Sequence, residues 1–92
     1  MKTKLETTVE GLIIISPSFV QSIRRSNSVE GAKTLGAPII LDSEHICFLA
    51  FNNDGYVTFF LSNGFEISLK INYDDAKNAY NYAKMKVMYV IE

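Results

Sequence analysis

Residues 45 to 71 read HICFLAFNNDGYVTFFLSNGFEISLKI, and this stretch decides the predicted fold. β-Branched and aromatic residues, which favour strands, fill three runs within it. The runs are residues 45–51, 56–61 and 65–71. Between them, residues 52–55 and 62–64 contain Asn and Gly, which tolerate the positive φ of tight hairpin turns. The stretch therefore predicts an antiparallel meander of three strands.

A helix is predicted directly after the meander. Asn72 or Asp74 can cap its first turn, and Asp74 and Asp75 suit the positive end of the helix dipole. Small and apolar residues then follow at helical spacing. They are Ala76, Ala79, Tyr80, Ala83 and Val87. Residues 87–91 are rich in β-branched side chains, so a terminal strand there is the alternative.

The N-terminal half mixes strand and helix signals. Residues 3–9 alternate loosely, and 12–15 form a short apolar run that favours a buried strand over a helix. Ser16-Pro17-Ser18 is typical of a helix start and predicts a helix ending near Arg25. Ser28 can cap a second helix over 29–35, with Gly36 as its stop. Residues 38–41 look extended.

These elements predict one α+β domain over residues 1–92. Its centre is a three- to four-stranded antiparallel meander with helices packed on it, and the C-terminal helix follows the meander. An N-terminal strand is a candidate to join the sheet. Apolar residues make up 48% and charged residues 21% of the chain, which is typical of a folded globular protein. The abundance of Ile, Asn, Lys and Tyr matches A/T-rich codons, so we expect a bacterial or bacteriophage source.

Charge and cysteine content narrow the functional class. The net charge is −1, whereas a binder of duplex nucleic acid usually carries a basic excess. The single cysteine rules out an internal disulfide, although small secreted domains usually need such staples. The N-terminus lacks the apolar segment of a signal peptide, and no apolar run approaches the roughly 20 residues of a membrane span. We expect a cytoplasmic protein without a membrane partner.

The meander carries apolar residues on two faces. Residues 65–71 alternate cleanly, with Glu66, Ser68 and Lys70 on one wet face, whereas the two preceding strands are apolar on both faces. N-terminal helices, a second copy of the chain or another protein must cover the second face. Exposed together, Phe60, Tyr56 and Phe48 would form a patch of the kind that marks an interface.

A partner-binding surface is predicted from these aromatic residues and from the last helix. Tyr82, Met85 and Tyr89 lie partly off the alanine stripe, and Tyr and Met are favoured at interfaces. The predicted partner-binding residues are Tyr56, Phe60, Tyr82, Met85 and Tyr89, with Arg24 and Arg25 as a polar rim. The alternative interpretation is that these are core residues whose tyrosine hydroxyls reach the solvent. The interface interpretation predicts a homodimer or a complex with another protein.

Catalytic and metal chemistry have little support. His45 and Cys47 share a strand face but would stand about 6.5–7 Å apart, beyond hydrogen-bond reach. Cys47 lies in an apolar run, where a buried thiol is inert. One His and one Cys cannot supply the four ligands of a structural zinc. We interpret Asp42, Glu44 and His45 as solvated turn residues, and not as a partial metal site. We therefore predict no catalytic residue, no metal and no cofactor.

The leading hypothesis is a small non-enzymatic protein-binding module, such as an inhibitor, immunity or accessory factor that acts by surface occlusion. The alternative is a nucleic-acid-binding regulator, in which Arg24, Arg25 and Lys33 bind phosphate while Tyr56 and Phe60 stack on bases. A small-ligand sensor with a pocket between helix and sheet is a third possibility.

Overall fold

The computed structural model describes residues 3–16, 21–25, 33–34, 38–51 and 55–91, with the backbone alone for residues 21, 22, 24, 25, 33 and 34. These residues form nine strands, one α-helix and a 3₁₀ turn. The strands are β1 (Lys4–Thr7), β2 (Leu12–Ser16), β3 (Gln21–Arg25), β4 (Lys33–Thr34), β5 (Ile39–Asp42), β6 (Ile46–Phe51), β7 (Val57–Leu61), β8 (Phe65–Leu69) and β9 (Tyr89–Ile91). The 3₁₀ turn is Ser43–His45, and the helix α1 is Tyr73–Lys84.

The strands form two antiparallel sheets, so the fold is α+β and mostly sheet. One sheet has four strands in the order β5-β2-β1-β9, and the other has five in the order β4-β3-β8-β7-β6. The predicted meander is confirmed in part, since β6, β7 and β8 pair in sequence. β3 pairs with the other side of β8, which makes β8 a central strand of a wider sheet.

The predicted N-terminal helices are wrong where the structure describes them. Gln21–Arg25 is β3, not the end of a helix, and Lys33–Thr34 is β4. The rest of both predicted helices, residues 17–20, 29–32 and 35, lies outside the described residues. The pairing with β8, in which partly buried Ile23 lies opposite Ile67, outweighs the weak helix signals of a capping serine and terminal arginines.

The chain's N-terminal and C-terminal strands meet in the four-stranded sheet. The strand predicted at residues 12–15 is confirmed as β2, which forms a hairpin with β1. These strands build a sheet of their own with β5 and β9, whereas an N-terminal strand had been a candidate to join the meander. Among the alternatives for residues 87–91, the terminal strand is confirmed at β9, and Val87 is exposed beyond the helix.

Helix α1 begins and ends with defined capping bonds. Asn72 is the N-cap, and its Oδ1 accepts hydrogen bonds from the backbone N–H groups of Asp74 (2.8 Å) and Asp75 (3.2 Å). At the other end the Val87 N–H donates to the Tyr82 carbonyl at 2.9 Å, while Lys86 adopts a φ of +58°. This left-handed ending turns the chain back into β9.

A single hydrophobic cluster contains residues from both sheets and from α1. Its members are Leu5, Ile13, Ile15, Leu41, Ile46, Val57, Phe59, Ile67, Leu69, Ala76, Ala79 and Ala83. The three alanines are fully buried and let α1 lie close against β1, β2 and β9. The helix thus packs mainly on the four-stranded sheet, whereas it had been predicted to pack on the meander. No helix in the described part of the chain has the length and apolar character needed to cross a membrane.

Gly11 lies buried in the turn between β1 and β2, at the meeting point of α1 and the 3₁₀ turn. Its φ is +88°. A Cβ atom at this position would lie 3.3 Å from the Ala83 carbonyl oxygen, from Ser43 Oγ and from Lys86 Nζ. Its own carbonyl accepts a hydrogen bond from the Ser43 N–H at 3.0 Å.

Candidate functional site

A stacked aromatic pair lies on β6 and β7, on the side of the five-stranded sheet that faces away from the core, with Phe48 exposed and Phe60 half-buried. Phe48 and Phe60 are direct cross-strand neighbours, and their rings stack with centroids 4.3 Å apart and planes 14° apart. Phe48 is 56% exposed, and Cys47 beside it is also exposed. We call Cys47, Phe48 and Phe60 the sheet surface.

A bulge in β6 produces this surface. The register of β6 against β7 shifts between Ile46 and Phe48, and a bulge of this kind re-aims the side chains around it. Ile46 is buried in the core while Phe48 points outward, although strict alternation had placed them on one face. The prediction of a buried Cys47 is also wrong, because the bulge leaves the thiol exposed.

Polar residues continue this side of the sheet across β7 and β8. Glu66 lies opposite Phe60 and is buried, so its predicted position on a wet face is wrong. β3 on the far side of β8 explains the difference, because Glu66 is now flanked by strands on both sides. The hydroxyls of Thr58 and Ser68 lie 3.0 Å apart and bond to each other.

The remaining residues that were predicted to accompany Phe60 lie at different places on the five-stranded sheet. Tyr56 is half-buried, and alternation puts it on the same side as Phe60 but about 13 Å along the strand. The backbone register places Arg24 opposite Glu66 and Arg25 opposite Phe65. Their role as a polar rim, or as phosphate ligands, stays a prediction.

A second apolar surface lies around the end of α1 and β9. The rings of Tyr82 and Tyr89 stack with centroids 4.3 Å apart and planes 13° apart, and Met85 is exposed. The structure therefore gathers the three residues predicted from the last helix in one region. Exposed neighbours that the sequence analysis missed extend this region, and they are Val87, Met88 and Val90. We call these six residues the C-terminal surface.

One sequence signal could have revealed the missed residues. Residues 87–91 are five consecutive apolar residues, and a single helix or strand face cannot bury all of a continuous apolar run. β9 is an edge strand, so its two faces are covered less than those of a central strand. Met88 is accordingly 70% exposed.

A hydroxyl group anchors the C-terminal surface to the rest of the sheet. Thr7 is buried on β1, and its Oγ1 donates a hydrogen bond of 2.6 Å to the Val87 carbonyl oxygen. This bond fixes the segment between α1 and β9. The apolar residues that follow it are thus held at a defined place beside β1.

His45 has a different setting from the predicted one. It ends the 3₁₀ turn and does not share a strand face with Cys47. Its Nδ1 lies 3.2 Å from Ser62 Oγ, and the Ser62 N–H donates to the His45 carbonyl at 2.8 Å. These two contacts hold the end of the β6–β7 pair together, which is a structural role. An open groove of about 480 Å³ lies beside them.

The acidic residues near His45 also have local partners. Asp42 caps the 3₁₀ turn, since its Oδ1 accepts a hydrogen bond of 3.0 Å from the Glu44 N–H. Across the described residues, no group of three or more His, Cys, Asp or Glu side chains lies close enough to hold a metal ion.

A second open groove, of about 510 Å³, lies at the start of α1. Phe51 and Tyr73 meet there edge to face with ring centroids 6.0 Å apart, and Lys70 lines the same groove. The groove is a shallow surface feature beside the helix, whereas a ligand sensor was predicted to hold a pocket between helix and sheet. Ligand binding stays a prediction.

The two apolar surfaces are the features from which a function can be inferred. Comparisons with protein-family models, with curated proteins and with solved structures find no match for this chain. Its function is therefore inferred from the sheet surface, the C-terminal surface and the edges of the two sheets.

Proposed function

We propose that this chain is a non-enzymatic protein-binding module that occludes part of a partner protein with its sheet surface. The stacked Phe48–Phe60 pair carries the proposal, because more than half of the Phe48 side chain stays exposed on the sheet. A fitting partner has an apolar cleft that accepts a flat aromatic ring.

Energetic reasons favour an aromatic anchor at this position. Burying one Phe side chain contributes about 1.5–3 kcal/mol, and a partner that covers the exposed part of Phe48 would gain part of this free energy on binding. Stacking on Phe60 already restricts the ring, so less side-chain entropy is lost on binding. Aromatic residues are also enriched at interfaces, where a few well-packed anchors carry most of the binding energy.

The bulge in β6 favours docking through side chains over docking through the backbone. A partner strand pairs poorly with a bulged edge, because the ladder of hydrogen bonds is interrupted there. The same bulge presents Cys47 and Phe48 outward. The partner therefore contacts the aromatic rings, and the mutually bonded Thr58 and Ser68 hydroxyls form a polar border.

Affinity capture with matched variants tests this function. Immobilised wild-type chain is expected to retain a specific protein from a lysate of its source organism, and Phe48→Ser is expected to retain it at least about tenfold less, given the cost of losing a hot spot. Phe51→Ser is the control, since Phe51 is equally exposed on the same strand but contacts Tyr73 at the start of α1.

Two outcomes would count against the function. Equal capture by wild type and Phe48→Ser would show that the sheet surface is not the docking site. Recovery of RNA or single-stranded DNA alone, released by moderate salt, would favour the nucleic-acid alternative. Circular dichroism of all three proteins verifies that the comparison is made between folded chains.

A further inference from the structure

The four outer edges of the two sheets differ in how they are protected against pairing. Edge strands expose backbone hydrogen-bonding groups, and proteins commonly block them with charges, prolines, bulges or short strands. β4 has two residues and includes a lysine, β5 follows Pro38 and includes Asp42, and β6 is bulged. β9 is short, but within the described residues it is the edge without a charge, proline or bulge, and Val87 and Met88 extend its apolar stretch.

The hydrogen-bonding pattern shows which backbone groups of β9 face outward. The Thr8 N–H donates to the Leu12 carbonyl at 3.0 Å, so alternate residues of β1 bond to β2, and Leu5 and Thr7 point the other way. Their cross-strand partners on β9 are Ile91 and Tyr89. The N–H and C=O of Val90 between them therefore point to the open edge.

We propose that this open edge binds the β9 strand of a second copy of the chain. The two strands run antiparallel about a two-fold axis at Val90, and each Val90 donates its N–H to the carbonyl of the other. The two four-stranded sheets then form one continuous sheet of eight strands. A two-fold interface of this kind needs a self-complementary surface, and antiparallel pairing meets that need with a single strand sequence.

In this register the side chains of β9 form favourable pairs across the two strands. Tyr89 of each copy lies opposite Ile91 of the other, and aromatic–β-branched cross-strand pairs stabilise antiparallel sheets. No charged side chain occurs among residues 87–91, so two copies approach without repulsion between like charges on the strand. A second copy therefore fits the edge better than a partner selected by charge.

The exposed area agrees with a small dimer interface. The exposed parts of Met85, Val87, Met88, Tyr89 and Val90 amount to on the order of 500 Å², while a standard interface covers about 800 Å² on each partner. The backbone edge and the rims of neighbouring side chains supply the remainder. Tyr89 and Val90 are consecutive on β9 and point to opposite faces, so a second copy would cover parts of both faces beside the edge.

The self-association is independent of the sheet surface, so it goes beyond the proposed function. Phe48 and Phe60 lie on the five-stranded sheet, whereas β9 lies on the edge of the four-stranded one. The purified chain alone tests pairing through β9, whereas capture from a lysate tests the sheet surface. Failure of one experiment therefore leaves the other unaffected.

The variant Val90→Lys is designed to weaken the dimer while the chain stays folded. Val90 is cross-strand neighbour to Glu6, so a lysine there meets an acidic side chain within its own sheet. In the dimer the same lysine faces its copy directly, and like charges in that position destabilise a sheet. We expect sedimentation equilibrium to give twice the chain mass of 10.3 kDa for wild type, and a dissociation constant raised at least tenfold for V90K.

The matched control is Ile40→Lys, on the opposite edge of the same sheet. Ile40 is 61% exposed and lies on β5, so this variant adds the same charge to the same sheet without touching β9. It is expected to dimerise like wild type. A wild-type chain that stays monomeric up to millimolar concentration, or dimerisation abolished by I40K and retained by V90K, would overturn the proposal.

Mixing oppositely charged variants supplies the positive test. Val90→Glu is also expected to be monomeric, because two glutamates would meet at the axis. An equimolar mixture of V90K and V90E places opposite charges face to face and is expected to restore a dimer of one copy of each. A mixture that remains monomeric, although each variant melts as a folded protein, would contradict pairing at Val90.

Discussion

Of the three glycines that the structure describes, Gly11 is the one with least room for a side chain. Its backbone lies at a φ of +88°, which L-residues with a Cβ adopt only at a cost of about 1–2 kcal/mol. The position is also crowded, since a backbone carbonyl of α1 and the Ser43 hydroxyl lie 3.3 Å from where a Cβ would be. Both effects act on the contact between the first hairpin and the helix end.

We expect Gly11→Ala to lower the free energy of unfolding by about 2–3 kcal/mol, because conformational strain and steric displacement add. Gly64→Ala is the control, since Gly64 has a φ of +87° but nothing lies within 4 Å of its missing Cβ. It should lose only the conformational part, about 1–2 kcal/mol. Urea denaturation followed by circular dichroism measures the free energy of unfolding of both variants. Equal losses of stability in the two would show that the neighbours of Gly11 make room for a Cβ atom at no cost.

At the scale of elements, the attachment of β9 depends on Thr7. Thr7→Val keeps the shape of this buried side chain but removes the donor to the Val87 carbonyl. The bond is part-buried, and the loss of such a hydrogen bond costs about 0.5–1.5 kcal/mol. We expect the free energy of unfolding to fall by that amount and the β9 amides to exchange hydrogen faster than those of β7.

Thr58→Val is the matched control for this change. Its hydroxyl bonds to Ser68 on a partly exposed surface, where water can replace the lost partner. We expect a smaller loss of stability and unchanged exchange in β9. If the β9 amides exchanged no faster in Thr7→Val than in Thr58→Val, the Thr7 hydroxyl would not be the group that holds β9 in place.

Elements set by local signals were predictable from the sequence. The turn residues around Gly64 and the cap at Asn72 act within a few residues, and the structure has the hairpin and the helix where they indicated. β3 was missed because its partner strand β8 is remote in the sequence, while the nearby serines and arginines resemble helix ends. Strand pairing depends on such tertiary context more than helix formation does.

The candidate surfaces were predictable only in part, for the same reason. Tyr82, Met85 and Tyr89 could be identified because they lie off the helical stripe that faces the core. The exposure of Phe48 depends on a bulge, and that of Val90 depends on β9 being the last strand of its sheet. Neither a bulge nor strand order is encoded in the spacing of apolar residues.

At the scale of the whole molecule, self-association would couple to thermal stability. A dimer formed only by the folded chain stabilises it by mass action, so its melting temperature rises with protein concentration. We expect calorimetry to find this rise for wild type and a melting temperature independent of concentration for V90K. A concentration-independent wild type would mean that β9 does not pair.

The shared hydrophobic cluster bears on how the chain is organised. Among the residues that the structure describes, both sheets and α1 contribute to the same core, while one domain over residues 1–92 stays a prediction. Mutations deep in that core, at Phe59 for example, are therefore expected to affect both sheets together.

The pairing of β1 with β9 has a consequence during synthesis. The Thr7 and Val87 that bond to each other are 80 positions apart, and a ribosome adds about 5–20 residues per second. For several seconds, therefore, β1 has been synthesised but β9, which pairs with its edge, has not. A nascent chain stalled or cut in that interval exposes an unprotected strand to its neighbours, and crowded polysomes are where it would aggregate first.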